Sequence, residues 1–507
     1  MRQPGPGPRA EPGPRRAAAD RPRRPHPTGR LRPRGRRGVS TSGVRSVRVI
    51  GAGIAGLTVA YALQRRGIQV RVVEGTDRVG GVIRSAQLTA ARTTIRVDAG
   101  AEAYALRTPV VADLCAELGL ATESPAASTS VWRAGAGPRN HSLVRMPAEA
   151  IMGIPADPLD PAVVAAIGEP AARDAAALDR RPVRDLPTDV AGAVTARYGA
   201  ALLDGLVRPM VTAIHRAAPE DLPLDRVSPG LYADTLALGS LAAAVSRHRA
   251  RQPAALSTVT GGLWQLPEAL SAAITDAGGE ILLSTTGNLT EGGADAEVVV
   301  IATDASSAVQ LLANVADSVA SDAATLLAPA TAVRHLSLLV TAPALDQQPF
   351  GSGALLVGHD GVAPTAITHL NAKWSGLPVP AGHHVVRLSY RGEHASQVTV
   401  QEAATTLVAL LGELGDEQLT LIDSAATSWT EERPPLSRAA SERLGELAAP
   451  LAERGIHLAG RWVAGNGLLP VISHALRLAD RIADALPPTG PTTTFPTSPS
   501  PTETRTP

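Results

Sequence analysis

The residues best suited to chemistry in this sequence are three glycines, Gly51, Gly53 and Gly56, which form a GxGxxG motif. They follow an apolar run over residues 47–50 that predicts a buried parallel strand, and they precede a helical pattern. Such glycines permit a tight turn, a close approach of the backbone to a phosphate, and packing of the helix on the strand. The positive end of the helix then faces the phosphate charge. The motif predicts a site for the pyrophosphate of a dinucleotide.

An acidic residue completes this unit. A second strand predicted over residues 70–73 ends at Glu74, at the distance where a carboxylate accepts hydrogen bonds from the ribose hydroxyls of a dinucleotide. Strand, glycine turn, helix, strand and acid occur in this order. A chance glycine turn would not reproduce that context, so the sequence favours a nucleotide site.

The residues after Glu74 indicate which cofactor is bound. They resemble the ExxxRxGGxxR pattern of the flavin-dependent amine oxidase superfamily, and the matching residues are Glu74, Arg78, Gly80, Gly81 and Arg84. The resemblance implies non-covalently bound FAD, with the glycine pair letting the backbone pass close to the pyrophosphate and the flavin. An NAD dehydrogenase is the weakest alternative, because it has no use for this glycine pair.

Further segments resemble other parts of that superfamily. In residues 97–103 (VDAGAEA) an Asp-x-Gly-Ala turn is implied to lie beside the flavin, and in residues 260–270 (TGGLWQLPEAL) the chain is implied to return to the FAD domain. The GNGL segment ending at Leu468 precedes a helix that would face the flavin ring. The cofactor-binding residues implied by these matches are Gly51, Ala52, Gly53, Ile54, Ala55, Gly56, Glu74, Gly75, Arg78, Gly80, Gly81, Gly100, Ala101, Glu102, Thr286, Trp429, Gly467 and Leu468.

A narrower resemblance is to the flavin-dependent coproporphyrinogen III and protoporphyrinogen oxidases. It is carried by residues 145–155 (RMPAEAIMGIP), 208–224, 372–374 and Trp429, in the order and spacing of that family. The family implies removal of six hydrogens from a porphyrinogen in three two-electron steps, with oxygen as acceptor and hydrogen peroxide as product, in haem biosynthesis. Coproporphyrinogen III is the favoured substrate and protoporphyrinogen IX the next. No catalytic acid or base is assigned.

A substrate with several carboxylates requires cations, and the matching segments offer Arg145, Arg208, His215, Arg216 and Lys373, the chain's single lysine. Departures from the family keep alternatives open: His215, Arg216 and Ala217 stand where it has Tyr-Ala-Gly. The alternatives are another flavin amine oxidase or desaturase of the same fold, and an FAD-binding relative without turnover.

The predicted fold class is α/β. A Rossmann-type FAD-binding domain with a doubly wound parallel sheet is expected from residues 46–107, 257–305 and 450–486, and an inserted α+β substrate domain from residues 108–256 and 306–449. Residues 1–45 and 487–507 are rich in Arg and Pro and in Pro and Thr respectively, and we expect both to be disordered.

Composition limits the other functions. Residues 1–45 carry a net charge of +11, which leaves −10 for the remainder. Because the folded body is therefore acidic, we expect no nucleic-acid binding. The lone Cys115 suits a reducing cytoplasm, and the scattered histidines predict no metal site. No run approaches the roughly 20 apolar residues that span a bilayer. Peripheral membrane contact and transient contact with other haem-pathway enzymes remain compatible with the sequence.

Overall fold

The chain forms two main sheets, one of short valine-rich strands and one that contains longer strands with alternating residues. The computed structural model describes residues 46–126, 130–134, 141–215, 217–251, 256–289, 298–314, 316–357, 364–412, 418–433 and 438–486. The predicted disordered head and tail, and the candidate substrate residue Arg216, lie outside these residues.

The strands in the described residues follow one another in this order: β1 Ser46–Ile50, β2 Gln69–Val73, β3 Ser85–Ala90, β4 Thr93–Asp98, β5 Tyr104–Ala105, β6 Thr122–Glu123, β7 Ser130–Ala134, β8 His141–Arg145, β9 Ala150–Ile151, β10 Ile154–Pro155, β11 Leu256–Val259, β12 Glu280–Leu282, β13 Val298–Ile301, β14 Ala328–Thr341, β15 Gly353–Val357, β16 Ala366–His369, β17 His384–Arg391, β18 Thr420–Arg433 and β19 Ile456–Leu458.

The α-helices are α1 Ile54–Gln64, α2 Val110–Glu117, α3 Pro161–Ile167, α4 Glu169–Asp179, α5 Val190–Tyr198, α6 Ala200–Leu202, α7 Arg208–His215, α8 Leu224–Val227, α9 Leu231–Leu238, α10 Leu241–Arg251, α11 Gln265–Asp276, α12 Ala305–Ala313, α13 Asp317–Leu326, α14 Pro343–Asp346, α15 Leu370–Lys373, α16 Val400–Gly412, α17 Arg438–Glu453, α18 Arg461–Ala464 and α19 Leu468–Ala485. A π-helical turn, Leu203–Val207, precedes α7, and a 3₁₀ turn, Ala395–Gln397, precedes α16.

The first main sheet is parallel, with strand order β12-β2-β1-β13-β19. Its strands are short and mainly apolar because both faces of the sheet are covered. One face packs on α1, α11 and α19 through residues such as Val47, Val49 and Val300. The other packs on α12, α13 and α17 through Ile301 and Leu458. The predicted doubly wound Rossmann-type sheet is confirmed, and its last strand and helix come from the carboxyl-terminal part of the chain.

The second main sheet has the order β18-β14-β17-β16-β15-β7-β8. Period-two alternation gives its central strands two different faces. Leu336, Leu338 and Leu388 pack under α16 on one face. His335 and Arg387 lie on the other face and are also buried. Buried polar side chains on this second face need partners, and those partners come from the loop after β4.

A helical layer follows β10. Helices α3 to α10 enclose a separate apolar cluster around Val194, Leu206 and Leu241. Residues 162–250 are thus largely helical. A buried ion pair between Asp179 and Arg197 holds the layer together, with Asp179 also accepting hydrogen bonds from the backbone at the start of α10. None of the helices in the described part of the chain is both long and apolar enough to cross a membrane.

Candidate functional site

The glycine turn between β1 and α1 leaves open space above the helix. Gly51 has φ +105°, and a Cβ atom there would lie 2.8 Å from the carbonyl oxygen of Ala302. A Cβ at Gly56 would lie 2.0 Å from the oxygen of Gly51, so helix and turn fit only without side chains. Gly53, the N-cap of α1, would meet nothing within 4 Å. The first turn of α1 has no acidic residue to offset its positive end. The turn therefore has the shape and polarity of a phosphate cradle.

Glu74 holds this cradle in place. Its carboxylate accepts hydrogen bonds from the backbone N–H of Ala52 at 2.8 Å and from the N–H and hydroxyl of Thr76 at 2.9 and 2.8 Å. A carboxylate has about four acceptor positions, so capacity remains for a ribose hydroxyl. The N–H of Thr285 donates to the carbonyl oxygen of Glu74, which places the exposed Thr286 beside the same strand end. The structure thus places Thr286 near Glu74, and both belong to the predicted cofactor-binding residues.

The glycine pair lies against the cradle. The N–H of Gly80 donates to the oxygen of Ala52 at 2.8 Å, and a Cβ at Gly81 would lie 3.4 Å from the Cα of Gly53. Gly81 is exposed, and so is 49% of the following Val82. Gly75 is exposed and Arg78 is half-buried in the turn that joins Glu74 to this pair. Small residues and the exposed Val82 therefore extend the open space of the cradle from Gly53 past Gly81 to Val82. We call this line of residues the track.

Residues 99–102 pack against the end of this track, where Gly100 is buried. A Cβ at Gly100 would lie 1.9 Å from the carbonyl oxygen of Val82, and the N–H of Ala101 donates to the same oxygen at 3.4 Å. Only glycine fits at position 100. The predicted cofactor residues Gly100 and Ala101 thus adjoin Gly81 through Val82, although they are distant in sequence.

Asp98 anchors the start of this segment. Its carboxylate accepts hydrogen bonds from the N–H groups of Leu263 and Trp264, both at 2.8 Å, which fixes the glycine turn before α11. Burial raises the pKa of Asp98 to about 7, against the lowering effect of these two N–H groups. The Asp of the VDAGAEA segment therefore positions two loops of the site at once.

Glu102 lies between two cations. Its carboxylate pairs with the ammonium of Lys373 and with the guanidinium of Arg387. The three side chains are only 11, 13 and 5% exposed respectively. Burial alone would raise the pKa of Glu102, but Arg387 and Lys373 outweigh it and lower the pKa to about 2. We name Glu102, Lys373 and Arg387 the charge cluster.

Two aromatic side chains border the charge cluster. His335 is buried on β14, and its Nδ1 lies 3.1 Å from the carbonyl oxygen of Ala99, to which it donates a hydrogen bond. Burial, reinforced by the charge of Arg387, lowers the pKa of His335 to about 3, so the ring is neutral. Trp429, on β18, meets this ring edge-to-face with the centroids 4.7 Å apart. Trp429 thus lies next to the segment predicted to border the flavin.

The carboxyl-terminal segment approaches the same strand. Gly467, with φ +95°, is the N-cap of α19, and Leu468 begins that helix and is buried. Arg461 in α18 pairs with Glu431, which lies two residues beyond Trp429 on β18. The predicted residues Gly467 and Leu468 therefore belong to a segment that contacts both main sheets.

The substrate-side predictions are scattered. Arg145 is exposed at the end of β8. Arg208 pairs with Asp204 and Glu220, whose hydrogen bonds raise the pKa of its guanidinium. His215 is half-buried at the end of α7. Only Lys373 of the described candidates contacts a predicted cofactor residue, Glu102.

Sequence reasoning placed Asp98 in the turn beside the flavin without giving it a role, and it missed Arg387 altogether. Arg387 donates hydrogen bonds to the carbonyl oxygens of Asp98 at 3.2 Å and Gly100 at 3.4 Å, besides its pairing with Glu102. Its signal was a lone arginine inside the alternating strand VVRLSY, at a position whose neighbours predict burial. Among the described residues no group of three His, Cys, Asp or Glu side chains is arranged to hold a metal ion.

Comparisons with known proteins agree with this geometry. Residues 49–118 match the family described as an NAD(P)-binding Rossmann-like domain. The coproporphyrinogen III oxidase of Mycobacterium leprae is 26% identical over 86% of this chain and 98% of its own length. That of Propionibacterium freudenreichii is 29% identical over 86% of this chain and 90% of its own. The chain is similar in sequence to the coproporphyrinogen III oxidases over most of its length and theirs. The resemblance that its motifs indicated is confirmed.

A solved structure extends the agreement to the fold. A protein from Exiguobacterium, provisionally assigned as a protoporphyrinogen oxidase, superposes with a TM-score of 0.70 at 19% identity, over 87% of this chain and 99% of its own. At this identity the likeness concerns the fold. The match covers most of this chain, so the likeness in fold is not confined to the nucleotide-binding unit.

Proposed function

We propose that this chain binds FAD and oxidises a porphyrinogen, coproporphyrinogen III in preference to protoporphyrinogen IX. The observation that carries the proposal is the continuous track from the cradle at Gly53, past Gly81 and Val82, to Gly100. It is a long dinucleotide site, not a pyrophosphate site alone, in a chain whose full-length relatives are named coproporphyrinogen III oxidases.

The residues present fit FAD. Gly53 leaves room for phosphate oxygens at the positive end of α1, and Glu74 retains acceptor capacity for the ribose. Val82 and Leu283 are large apolar residues, 49 and 39% exposed. Val82 follows Gly81, and Leu283 follows Leu282, whose carbonyl oxygen accepts a hydrogen bond from the N–H of Glu74. A bound cofactor with a flat apolar ring at each end would cover both. FAD would supply acceptance of two electrons from the substrate and their delivery to oxygen.

The protein's own residues have three tasks in this reaction. The glycine track and Glu74 hold the cofactor, and the buried His335 with the half-buried Trp429 excludes water from one side of the ring. The substrate domain must place a meso carbon at the ring and bind the propionates. Each two-electron step removes two hydrogens from the macrocycle and converts one oxygen molecule to hydrogen peroxide, and three steps give the porphyrin.

Cations near the end of α7 suit the propionates. Burial lowers the pKa of His215, and the positive charges of Arg107 and Arg226 lower it further, so these three side chains are electrostatic neighbours. Arg107 and Arg226 are exposed and able to meet carboxylates. We assign the propionate contacts to this group rather than to Arg208, whose guanidinium is already paired with two carboxylates.

The domain division follows the same proposal. We assign residues 46–107, 257–305 and 450–486 to the FAD-binding domain, since all five strands of the parallel sheet lie there. Residues 108–256 and 306–449 form the substrate domain, with the second main sheet and the helical layer. Helix α13 and most of α12 and α17 fall within the second of these ranges, although they pack on the parallel sheet.

The test uses the full-length protein. Purified protein is expected to show flavin absorbance and to release all of its FAD on denaturation, with none left covalently attached to the chain. Anaerobically prepared coproporphyrinogen III and protoporphyrinogen IX are then mixed with it, and porphyrin fluorescence and peroxide are followed after oxygen is admitted. Fluorescence growth above the uncatalysed rate, faster for coproporphyrinogen III, is the expected result.

The control is Gly53→Ala, which has space for its methyl group in the protein but not beside a bound phosphate. It should lose both flavin and activity. Flavin bound by the unaltered protein with no acceleration for either substrate would overturn the porphyrinogen assignment. The same fold would then serve another amine oxidase or desaturase, or a relative without turnover.

A further inference from the structure

The charge cluster contains more positive than negative charge. Glu102 is a single carboxylate shared by Lys373 and Arg387. The neighbouring His335 is neutral, because burial lowers its pKa to about 3. The remaining acid nearby is Asp98, whose carboxylate is directed to the N–H groups of Leu263 and Trp264. Two buried cations therefore face one fully ionised carboxylate.

Such an excess of charge is costly in a buried site. Desolvating an ammonium or a guanidinium costs several kcal/mol for each ion, and a single carboxylate offsets one of the two. In addition, Nε of Arg387 is buried and has no hydrogen-bond partner among the described residues. Two buried cations of this kind would stabilise negative charge that forms next to the charge cluster during function.

The position of the charge cluster shows where that negative charge would arise. Arg387 donates to the oxygen of Gly100, and Gly100 adjoins Val82 at the far end of the track that begins at Gly53. The charge cluster thus lies behind residues 99–102, which on the family resemblance border the flavin ring. It lies far from the pyrophosphate cradle in sequence and is joined to it by the glycine track.

We propose that Lys373 and Arg387 stabilise the negative charge that the flavin ring acquires when it takes two electrons from the substrate, with Glu102 setting the size of this effect. The proposal rests on the proposed FAD binding. Each cation lowers the energy of the reduced ring more than that of the neutral oxidised ring, because the site is shielded from water. The flavin is then a stronger oxidant. Lys373 and Arg387 act through their electrostatic effect on the ring and need not contact the substrate.

Two substitutions with opposite signs test this. Lys373→Met removes one cation and leaves Glu102 and Arg387 as a balanced pair, so the two-electron potential of bound FAD should fall. Glu102→Gln removes the anion at nearly constant volume, so the potential should rise. The measurements are the flavin midpoint potential and the dissociation constant of sulfite, which forms a negatively charged adduct with oxidised flavin. A tenfold change in sulfite affinity, equivalent to about 30 mV for a two-electron couple, is expected in each direction.

The matched control is Arg334→Met. Arg334 lies next to His335 on β14 but on the opposite face of the sheet. Its substitution therefore removes one positive charge, as Lys373→Met does, but from a side chain that does not face the ring. It should leave both quantities near those of the unaltered protein. Lys373→Gln replaces Lys373→Met if the methionine variant does not fold, which far-UV circular dichroism shows.

The outcomes separate the two proposals. A lower flavin potential in Lys373→Met together with a higher one in Glu102→Gln supports this inference. Unchanged potentials, or a shift against the expected direction in either variant, overturn it. An increased KM for coproporphyrinogen with an unchanged potential would instead make the charge cluster a substrate-carboxylate site and also overturn it. Absence of flavin from the unaltered protein would overturn the proposed function, and this inference with it.

Discussion

The carboxylate of Glu74 reaches back 22 residues to accept a hydrogen bond from the backbone N–H of Ala52, at 2.8 Å. This bond ties the end of β2 to the glycine turn after β1. The same acid that was predicted to bind ribose therefore also fixes the loop that was predicted to bind the phosphates. On the proposed function, we expect both the shape of the cradle and the affinity for the nucleotide to depend on this one side chain.

Replacing Glu74 should separate these two contributions. Glu74→Ala leaves the N–H of Ala52 without its acceptor, so we expect a loss of about 1–3 kcal/mol in the free energy of unfolding and at least a tenfold weaker FAD affinity. Glu74→Gln keeps one acceptor oxygen and should lose less stability. Urea unfolding and flavin titration measure the two effects. The control is Asp77→Ala at an exposed acid of the same turn. Equal effects of Asp77→Ala and Glu74→Ala would contradict the expectation.

Gly53 offers a substitution that the protein tolerates and the cofactor should not. Its φ of −71° suits any residue, and an added Cβ meets no atom within 4 Å. We therefore expect Gly53→Ala to keep the unfolding temperature of the unaltered protein and to weaken FAD binding at least tenfold. Gly445→Ala, also without neighbours but on the exposed side of α17, is the control. Undiminished FAD binding by Gly53→Ala would exclude the cradle as the phosphate site.

The cradle could be predicted from the sequence because its determinants are local. Gly51, Gly53, Gly56 and Glu74 lie within one βαβ unit, where the backbone itself dictates which residues fit. The doubly wound parallel sheet around it could be predicted from the same unit and from the GNGL segment and helix near the carboxyl terminus. These features need no knowledge of which distant segments meet.

The charge cluster could not be predicted in this way. Glu102 and Lys373 are 271 residues apart, and sequence motifs assigned them to different sites, one to the cofactor and one to the substrate. Arg387 gave only the signal of an arginine in an apolar strand. Their meeting depends on how the second main sheet packs against the loop after β4, which is a property of tertiary packing and leaves no spacing rule in the sequence.

Arg208 should be dispensable for substrate binding. It forms exposed ion pairs with Asp204 and Glu220, and exposed pairs contribute less than about 1 kcal/mol. We expect Arg208→Gln to change the free energy of unfolding by no more than that amount and to keep KM for coproporphyrinogen III within about twofold. Steady-state fluorescence assays measure KM. A several-fold increase in KM at constant kcat would mean that the guanidinium leaves its carboxylates for the substrate.

A buried histidine pair should make the protein sensitive to acid. Nε2 of His369 lies 3.1 Å from Nδ1 of His384, whose Nε2 contacts Asp346. Burial, aided by His384, lowers the pKa of His369 from 6.5 to about 4. The folded state therefore binds fewer protons than the unfolded state between these values. The stability that His369 contributes is fully present above pH 6.5 and is lost as the pH falls toward 4.

This histidine's share of the acid sensitivity should disappear on substitution. One proton bound only by the unfolded chain changes the free energy of unfolding by about 1.4 kcal/mol per pH unit, and His369→Gln has no such proton to bind. Urea unfolding at pH 7.5, 6.0 and 5.0 should therefore show a shallower decline for His369→Gln than for the unaltered protein. His394→Gln, at an exposed histidine, should keep the original decline. Parallel declines in all three proteins would show that His369 is protonated equally in the folded and unfolded chains.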